Sequence, residues 1–175
     1  MRIHITGNAG SGKTTLAKEL GDFLKLDVYG LDKIVWMPNW KKTPSDKRKQ
    51  LEQELVDKSQ WVIEGVSSIV RQSSDIIVFL DYPRHICLIR CIKRNWKYLF
   101  TSRPELPNNC PEIKIIPQLL KIIWQFPKVA KPFIVKDLGG KDFVTVTNTY
   151  ELNELINEIR YNKSFKMDAQ KARAL

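Results

Sequence analysis

GNAGSGKT, at residues 7–14, is the most informative run in this chain. It matches the pattern Gly-x-x-x-x-Gly-Lys-Ser/Thr at every required position. A short β-branched run with Ile3 and Ile5 precedes it, and an amphipathic helical pattern begins at Lys13. A strand before such a run and a helix after it are the context in which this pattern forms a phosphate-binding loop.

The residue types in this run suit the binding of a polyphosphate. Glycines let the backbone wrap closely around an anion, and the wrapped N–H groups hold it together with the positive end of the following helix. Lys13 is expected to reach the β- and γ-phosphates, and the Thr14 hydroxyl is expected to ligate magnesium. The sequence therefore predicts ATP and Mg²⁺ as ligands, bound by Gly7, Asn8, Ala9, Gly10, Ser11, Gly12, Lys13, Thr14 and Thr15.

The rest of the chain alternates short apolar strands with helical patterns. Strands are predicted at 3–7, 26–29, 61–64, 75–80 and 143–147. Helices are predicted from Lys13, from a Thr43 N-cap to about Lys58, from Pro83 to about Phe100, over 113–138 with proline interruptions, and after Asn148 or Thr149. Near-continuous apolar strands between helices indicate a parallel sheet covered on both faces. The prediction is one three-layer α/β domain spanning residues 1–175.

Composition narrows the class of protein without naming its partner. The 175 residues are 43% hydrophobic, which is ordinary for a globular domain, and no apolar stretch is long enough to span a membrane. The three cysteines lack metal-ligand spacing, and we expect reduced thiols, a cytoplasmic location and no membrane partner. The formal charge of +10 attracts phosphates of any kind, so it does not separate a nucleotide enzyme from a nucleic-acid binder.

Three further segments resemble a known family. Asp81-Tyr82-Pro83, followed by Arg90 and Arg94, resembles the strand end and following helix of adenylate kinase and its relatives. Residues 31–38 and 61–65 are similar to the DNA topology modulation protein group, an adenylate-kinase-related branch. The resemblance implies a P-loop NTPase fold with strand order 2-3-1-4-5. It also implies an acceptor-side helical segment at about 32–60 and a mobile lid at about 90–115.

The resemblance also implies roles for four residues outside the loop. Arg90 and Arg94 would contact the phosphates, Arg94 as the clamp on developing charge, and they lie one helical turn apart as such a grip requires. Glu64 would hold magnesium through water, and Asp32 would orient or deprotonate an acceptor hydroxyl. The alternatives are solvated surface charges for the arginines and helix caps or surface carboxylates for the acids. The predicted catalytic residues are thus Lys13, Arg94, Asp32 and Arg90, and the predicted metal ligands are Thr14 and Glu64.

The chain departs from adenylate kinases where those enzymes hold AMP. Val35 stands where they place an arginine, and the first arginine after Glu64 is Arg71. Trp36 and Trp40, near Asp32, either form a wall for an aromatic or sugar-like acceptor or belong to the core. Arg48 and Arg71 are candidates for contact with an acceptor phosphate, and Arg103 is a candidate for the lid.

Three functions are compatible with these residues. The first is an ATP-dependent small-molecule kinase, monomeric or homodimeric, that acts on a nucleoside, a nucleotide or a similar acceptor. The second is a nucleic-acid-associated NTPase or DNA topology-modulating protein, suggested by the charge and the resemblance. The third is a nucleotide sensor without chemistry. No helix-turn-helix, RNA-recognition or zinc signature supports the second function.

Overall fold

The computed structural model describes residues 1–103, 106–137 and 142–162. Helices and strands alternate along these ranges, as the sequence pattern predicts. The strands are β1 (Arg2–Gly7), β2 (Val28–Gly30), β3 (Trp36–Met37), β4 (Lys41–Lys42), β5 (Trp61–Glu64), β6 (Ile76–Leu80) and β7 (Asp142–Val146). The α-helices are α1 (Lys13–Leu24), α2 (Asp32–Val35), α3 (Ser45–Val56), α4 (Ser68–Ser73), α5 (Arg84–Asn95), α6 (Ile116–Val129), α7 (Lys131–Asp137) and α8 (Thr149–Asn162).

Five strands form one parallel sheet in the order β2-β5-β1-β6-β7. The labels differ from the predicted 2-3-1-4-5 because two short strands, β3 and β4, form a separate antiparallel hairpin that the sequence pattern did not reveal. Counted within the large sheet alone, its strands are the second, third, first, fourth and fifth along the chain. The predicted α/β architecture is therefore confirmed.

Alternating side chains in the central strands bury both faces of this sheet. In β5, Val62 joins a cluster with residues of α1, α5 and α8, whereas Ile63 joins a second cluster with α3 and α4. In β6, Val78 and Leu80 belong to the first cluster, and Phe79 packs with α6 and α7 on Phe126 and Ile134. Because successive side chains of a strand point to opposite faces, helices cover both faces and produce three layers.

Two predicted helix starts have different outcomes. At α8, Asn148 Oδ1 accepts the Glu151 N–H at 3.0 Å and the Glu151 carboxylate accepts the Thr147 N–H at 2.7 Å, so Asn148 is the cap. At α3 the predicted Thr43 cap is wrong, because Pro44 occupies the cap position and no side chain caps the helix. Thr43 instead donates its N–H to Val35 O at 3.0 Å, which ties it to the β3–β4 hairpin.

The remaining elements refine the sequence prediction. The stretch predicted as one interrupted helix from 113 to 138 is two helices, α6 and α7, with Pro127 inside the first. All three cysteines are buried and reduced, and Cys87 and Cys91 belong to the first cluster. No helix in the described ranges has both the length and the apolar character that a membrane crossing requires.

Candidate active site

The backbone of the loop at 7–14 requires glycine at defined points. Gly7, Gly10 and Gly12 have φ angles of 152°, 80° and 99°, in the region that disfavours side chains. A Cβ on Gly10 would lie 2.2 Å from the carbonyl oxygen of Cys87, and one on Gly7 would lie 2.5 Å from that of Leu80. The loop thus packs directly against the backbone of β6 and α5, which leaves its inner side as a close-fitting cradle.

Side chains inside the loop fix its shape. Asn8 is buried, accepts the Ala9 N–H at 2.8 Å through Oδ1, and donates from Nδ2 to Ile123 O at 3.0 Å. The Lys13 ammonium folds back over the loop and donates to Asn8 O at 2.8 Å. Asn8 therefore supports the loop from its buried side, where Ser11 also lies, whereas Lys13 lies over it.

Two oxygen groups that could ligate a metal meet at the start of α1. Parallel pairing of β1 with β5 places Ile5 opposite Glu64, so the Glu64 carboxylate lies beside the loop that follows β1. Thr14 Oγ1 donates to Glu64 Oε1 at 3.0 Å. A hydroxyl and a carboxylate are the hard oxygen ligands that Mg²⁺ prefers, so this donor set fits the predicted metal.

Burial governs the electrostatics of this corner. It raises the pKa of Glu64, against the opposing effect of the Lys13 ammonium. Burial likewise lowers the pKa of Lys13, with the charges of Glu64 and Asp32 acting in the opposite direction. A bound phosphate would add negative charge beside Lys13 and favour its ammonium form.

Helix α5 directs two arginines toward the same region. Arg94 donates from Nε to Oδ1 of the buried Asn95 at 3.2 Å, so the neighbouring side chain holds its guanidinium. Arg90 lies 4.4 Å from the ring centroid of Tyr82 and donates to Thr149 Oγ1 at 3.2 Å. The contacts with Asn95, Tyr82 and Thr149 thus restrict both guanidinium groups.

One cleft of about 790 Å³ brings these groups together. Eleven of the predicted site residues line it: Gly7, Ala9, Gly10, Gly12, Lys13, Thr14, Thr15, Asp32, Glu64, Arg90 and Arg94. Asn8 and Ser11 do not, because they are buried below the loop. The cleft also has lining residues that the sequence named without a firm role, which are Val35, Trp36, Trp40, Arg48 and Arg103.

The β3–β4 hairpin supplies a second part of the cleft lining, the hairpin end, through Trp36, Trp40 and Lys42. Trp36 and Trp40 pack edge to face with ring centroids 5.2 Å apart. Trp40 Nε1 donates to Pro111 O at 2.9 Å, and the Cys110 thiol lies 3.6 Å from Met37 O. The hairpin is thereby attached to residues 110–111, although they are distant in sequence. The turn residues Pro38 and Asn39 between two short polar-aromatic runs were the only sequence signal for it.

The three arginines of uncertain role have different positions. Arg48 is 45% exposed on α3 and lines the cleft. Arg71, on α4, is 4% exposed and is not among the lining residues. Arg103 lines the cleft and forms an ion pair with the fully buried Glu112.

Comparisons with known proteins bear on the fold. No family model matches this chain, and no curated protein matches its sequence. Among solved structures, a shikimate kinase from Acinetobacter baumannii in complex with shikimate matches with a TM-score of 0.56 and 20% identity, over 90% of this chain and 89% of that one. A deoxyadenosine kinase from M. mycoides with products dCMP and dCDP bound matches with a TM-score of 0.58 and 15% identity, over 94% and 100%. This chain has the fold of P-loop kinases.

A third solved structure agrees with this assignment. A shikimate kinase from Bacteroides thetaiotaomicron matches with a TM-score of 0.53 and 16% identity, over 92% of this chain and 96% of that one. At these identities the likeness concerns the P-loop kinase fold, and the chemistry of this chain has to be inferred from its own residues.

Proposed function

We propose that this protein is an ATP-dependent small-molecule kinase. The observation that carries the proposal is one cleft lined by a glycine-rich phosphate loop, a Thr14–Glu64 oxygen pair and the arginines of α5. Phosphoryl transfer depends on positioning and on cations around the transferred group, and this cleft supplies both. Residues 32–60 would form the acceptor side of the single domain, and residues 90–115 its lid.

The loop would hold the triphosphate of ATP. Its backbone N–H groups and the N-terminus of α1 would bind the anion, and Lys13 would move from Asn8 O to the phosphates. Thr14 and Glu64 would hold Mg²⁺, which when bound neutralises charge on the β- and γ-phosphates. Arg94, held by Asn95, and Arg90 would stabilise the negative charge that develops on the transferred group.

Asp32 would prepare the acceptor. It is an exposed carboxylate at the start of α2, it lines the cleft, and its charge acts on both Lys13 and Glu64. An acceptor hydroxyl would donate its proton to this carboxylate while its oxygen bonds to the γ-phosphorus. The bond between that phosphorus and the β–γ bridging oxygen breaks, and ADP leaves with the electron pair.

The finer assignment within the kinases rests on the resemblance alone. The similarity of 31–38 and 61–65 to the DNA topology modulation protein group supports placing the chain in that adenylate-kinase-related branch. The competing function is that of a nucleic-acid-associated NTPase, which the +10 charge of the chain suggests. Binding to a DNA duplex over a salt series separates the two, because nucleic-acid binding predicts affinity that falls steeply with salt.

A screen of acceptors tests the kinase function. Nucleosides, their monophosphates, sugars and small hydroxy acids are each incubated with Mg-ATP, and release of ADP is measured. We expect at least one acceptor to raise ADP release and Lys13→Ala to lower that activity by about 10²-fold or more. Lys49→Ala, an exposed lysine of α3 outside the cleft, is the matched control and should keep full activity. Acceptor-dependent activity that survives in Lys13→Ala would show that the assigned site is wrong.

A further inference from the structure

We propose that the acceptor is an anionic ring compound and that Arg48 holds its anionic group. This inference rests on the proposed kinase function, because it assigns a substrate class to the hairpin end of the same cleft. Arg48 is at a different position from Val35, where adenylate kinases carry their acceptor arginine.

The position of Arg48 distinguishes it from Arg71, the other candidate. Arg48 is 45% exposed and lines the cleft, whereas Arg71 is 4% exposed and does not. An acceptor that enters the cleft can therefore contact the first guanidinium without any rearrangement of α4.

Buried groups orient the Arg48 side chain. Its Nε lies 3.4 Å from Oε1 of Glu52, one helical turn along α3, and Glu52 is 5% exposed. Ser67 Oγ donates to the other carboxylate oxygen at 2.7 Å. Ser67 thus holds the Glu52 carboxylate, which in turn restrains Arg48. A guanidinium that is restrained in this way loses less entropy when it binds an anion. Glu52 and Ser67 are positioning residues in this arrangement.

Aromatic side chains line the same cleft as this cation. Trp40 already donates its Nε1 proton to Pro111 O, so what it offers a ligand is its ring. Trp36, half-buried against Trp40, lines the cleft together with Val35 and Val66. Apolar and aromatic walls with one placed charge are typical of sites that orient a ring by its face and its substituent.

The charge of the cleft favours a second anion beside ATP. Among the described lining residues, seven are lysine or arginine and four are aspartate or glutamate. Lys42, whose ammonium lies 5.9 Å from the Trp36 ring centroid, adds to the positive charge at the hairpin end. Asp32, one of these four carboxylates, would be occupied by the reacting hydroxyl.

Three small probes separate the two parts of the proposal without turnover. Phenyl phosphate carries a ring and an anion, methyl phosphate only the anion, and phenol only the ring and a hydroxyl. Each is titrated by calorimetry into the full chain saturated with Mg-ADP, so that the phosphate loop is occupied. We expect phenyl phosphate to bind at least about 10-fold more tightly than either other probe, which corresponds to about 1.4 kcal/mol.

Variants assign this binding to Arg48. Arg48→Gln should weaken phenyl phosphate binding at least about 10-fold, and Arg48→Lys should weaken it less. Lys49→Gln, the neighbouring exposed cation outside the cleft, should leave it unchanged. Trp36→Leu should reduce phenyl phosphate to the affinity of methyl phosphate. The unfolding temperature of each variant verifies that it is folded.

The failure of this inference is distinguishable from that of the kinase function. Equal binding of phenyl phosphate and phenol, no binding of phenyl phosphate, or equal effects of Arg48→Gln and Lys49→Gln would overturn the inference even if a neutral acceptor is phosphorylated. Conversely, Arg48-dependent binding supports the acceptor class, whereas absence of Lys13-dependent ADP release would count against the kinase function.

Discussion

The two ends of the cleft take their residues from the chain in different ways. The loop end, residues 7–15, is one unbroken segment shaped by its positive-φ glycines and its internal hydrogen bonds. Its contacts with Leu80, Cys87 and Ile123 then hold that shape in place. The hairpin end combines Asp32 of α2, Trp36 of β3 and Arg48 of α3, and it is attached to Pro111. Polyphosphate binding can thus be encoded locally, whereas the surface that would select an acceptor depends on packing between distant segments.

A substitution in the loop should have the largest effect. Gly10→Ala combines a φ of 80° with a Cβ placed 2.2 Å from a backbone oxygen, whereas Gly12→Ala has a φ of 99° but open space around the Cβ. We expect Gly10→Ala to lower the free energy of unfolding by at least about 2 kcal/mol and to abolish ATP binding. Gly12→Ala should lower the free energy of unfolding by about 1 kcal/mol.

Denaturant unfolding and ATP titration of both alanine variants measure this difference. Equal losses for the two variants would show that backbone strain alone, and not the contact with Cys87, fixes the loop.

The pH dependence of the free energy of unfolding tests the burial of Glu64, beside the loop end. Burial raises its pKa, so the folded protein holds this proton more tightly than the unfolded chain does. The free energy of unfolding should therefore fall as pH rises from the ordinary carboxyl range through the raised pKa, and Glu64→Gln should remove that part of the slope.

The same variant tests the proposed metal role. Glu64→Gln should weaken Mg-ATP binding about 10-fold, since loss of an outer-shell metal partner has effects of this size. Titration calorimetry measures the Mg-ATP affinity, and scanning calorimetry at several pH values measures the change of stability with pH. The exposed Glu54→Gln on α3 serves as the control for both measurements. Unchanged Mg-ATP affinity in Glu64→Gln would remove Glu64 from the metal site.

The smallest effect is expected at the hairpin. Trp40→Phe removes the hydrogen bond to Pro111 O and should lower the free energy of unfolding by about 1 kcal/mol. Trp124→Phe, at an exposed position of α6, should change it by less than about 0.5 kcal/mol. If both variants unfold at the same denaturant concentration, the bond to Pro111 does not stabilise the hairpin.

Much of the fold could be predicted because its signals are local. The apolar strands, the Asn148 cap and the stripe of α8 at Leu152, Leu155, Ile156 and Ile159 each depend on residues within a few positions of one another. The β3–β4 hairpin was missed because its strands have two residues each, too few to show an alternating pattern. The Thr43 cap was wrong because α3 begins one residue later than predicted, with Pro44 at the cap position.

The order of residues specifies the phosphate loop, the parallel sheet and the helical spacing of Arg90 and Arg94, since glycine conformation and hydrophobic periodicity act over short distances along the chain. Packing of the folded domain, in contrast, places Glu64 against Thr14, puts Arg48 rather than Arg71 in the cleft and attaches Trp40 to Pro111. These contacts join residues 50 or more positions apart or depend on which helix face is buried, and both follow from the packing of the whole domain.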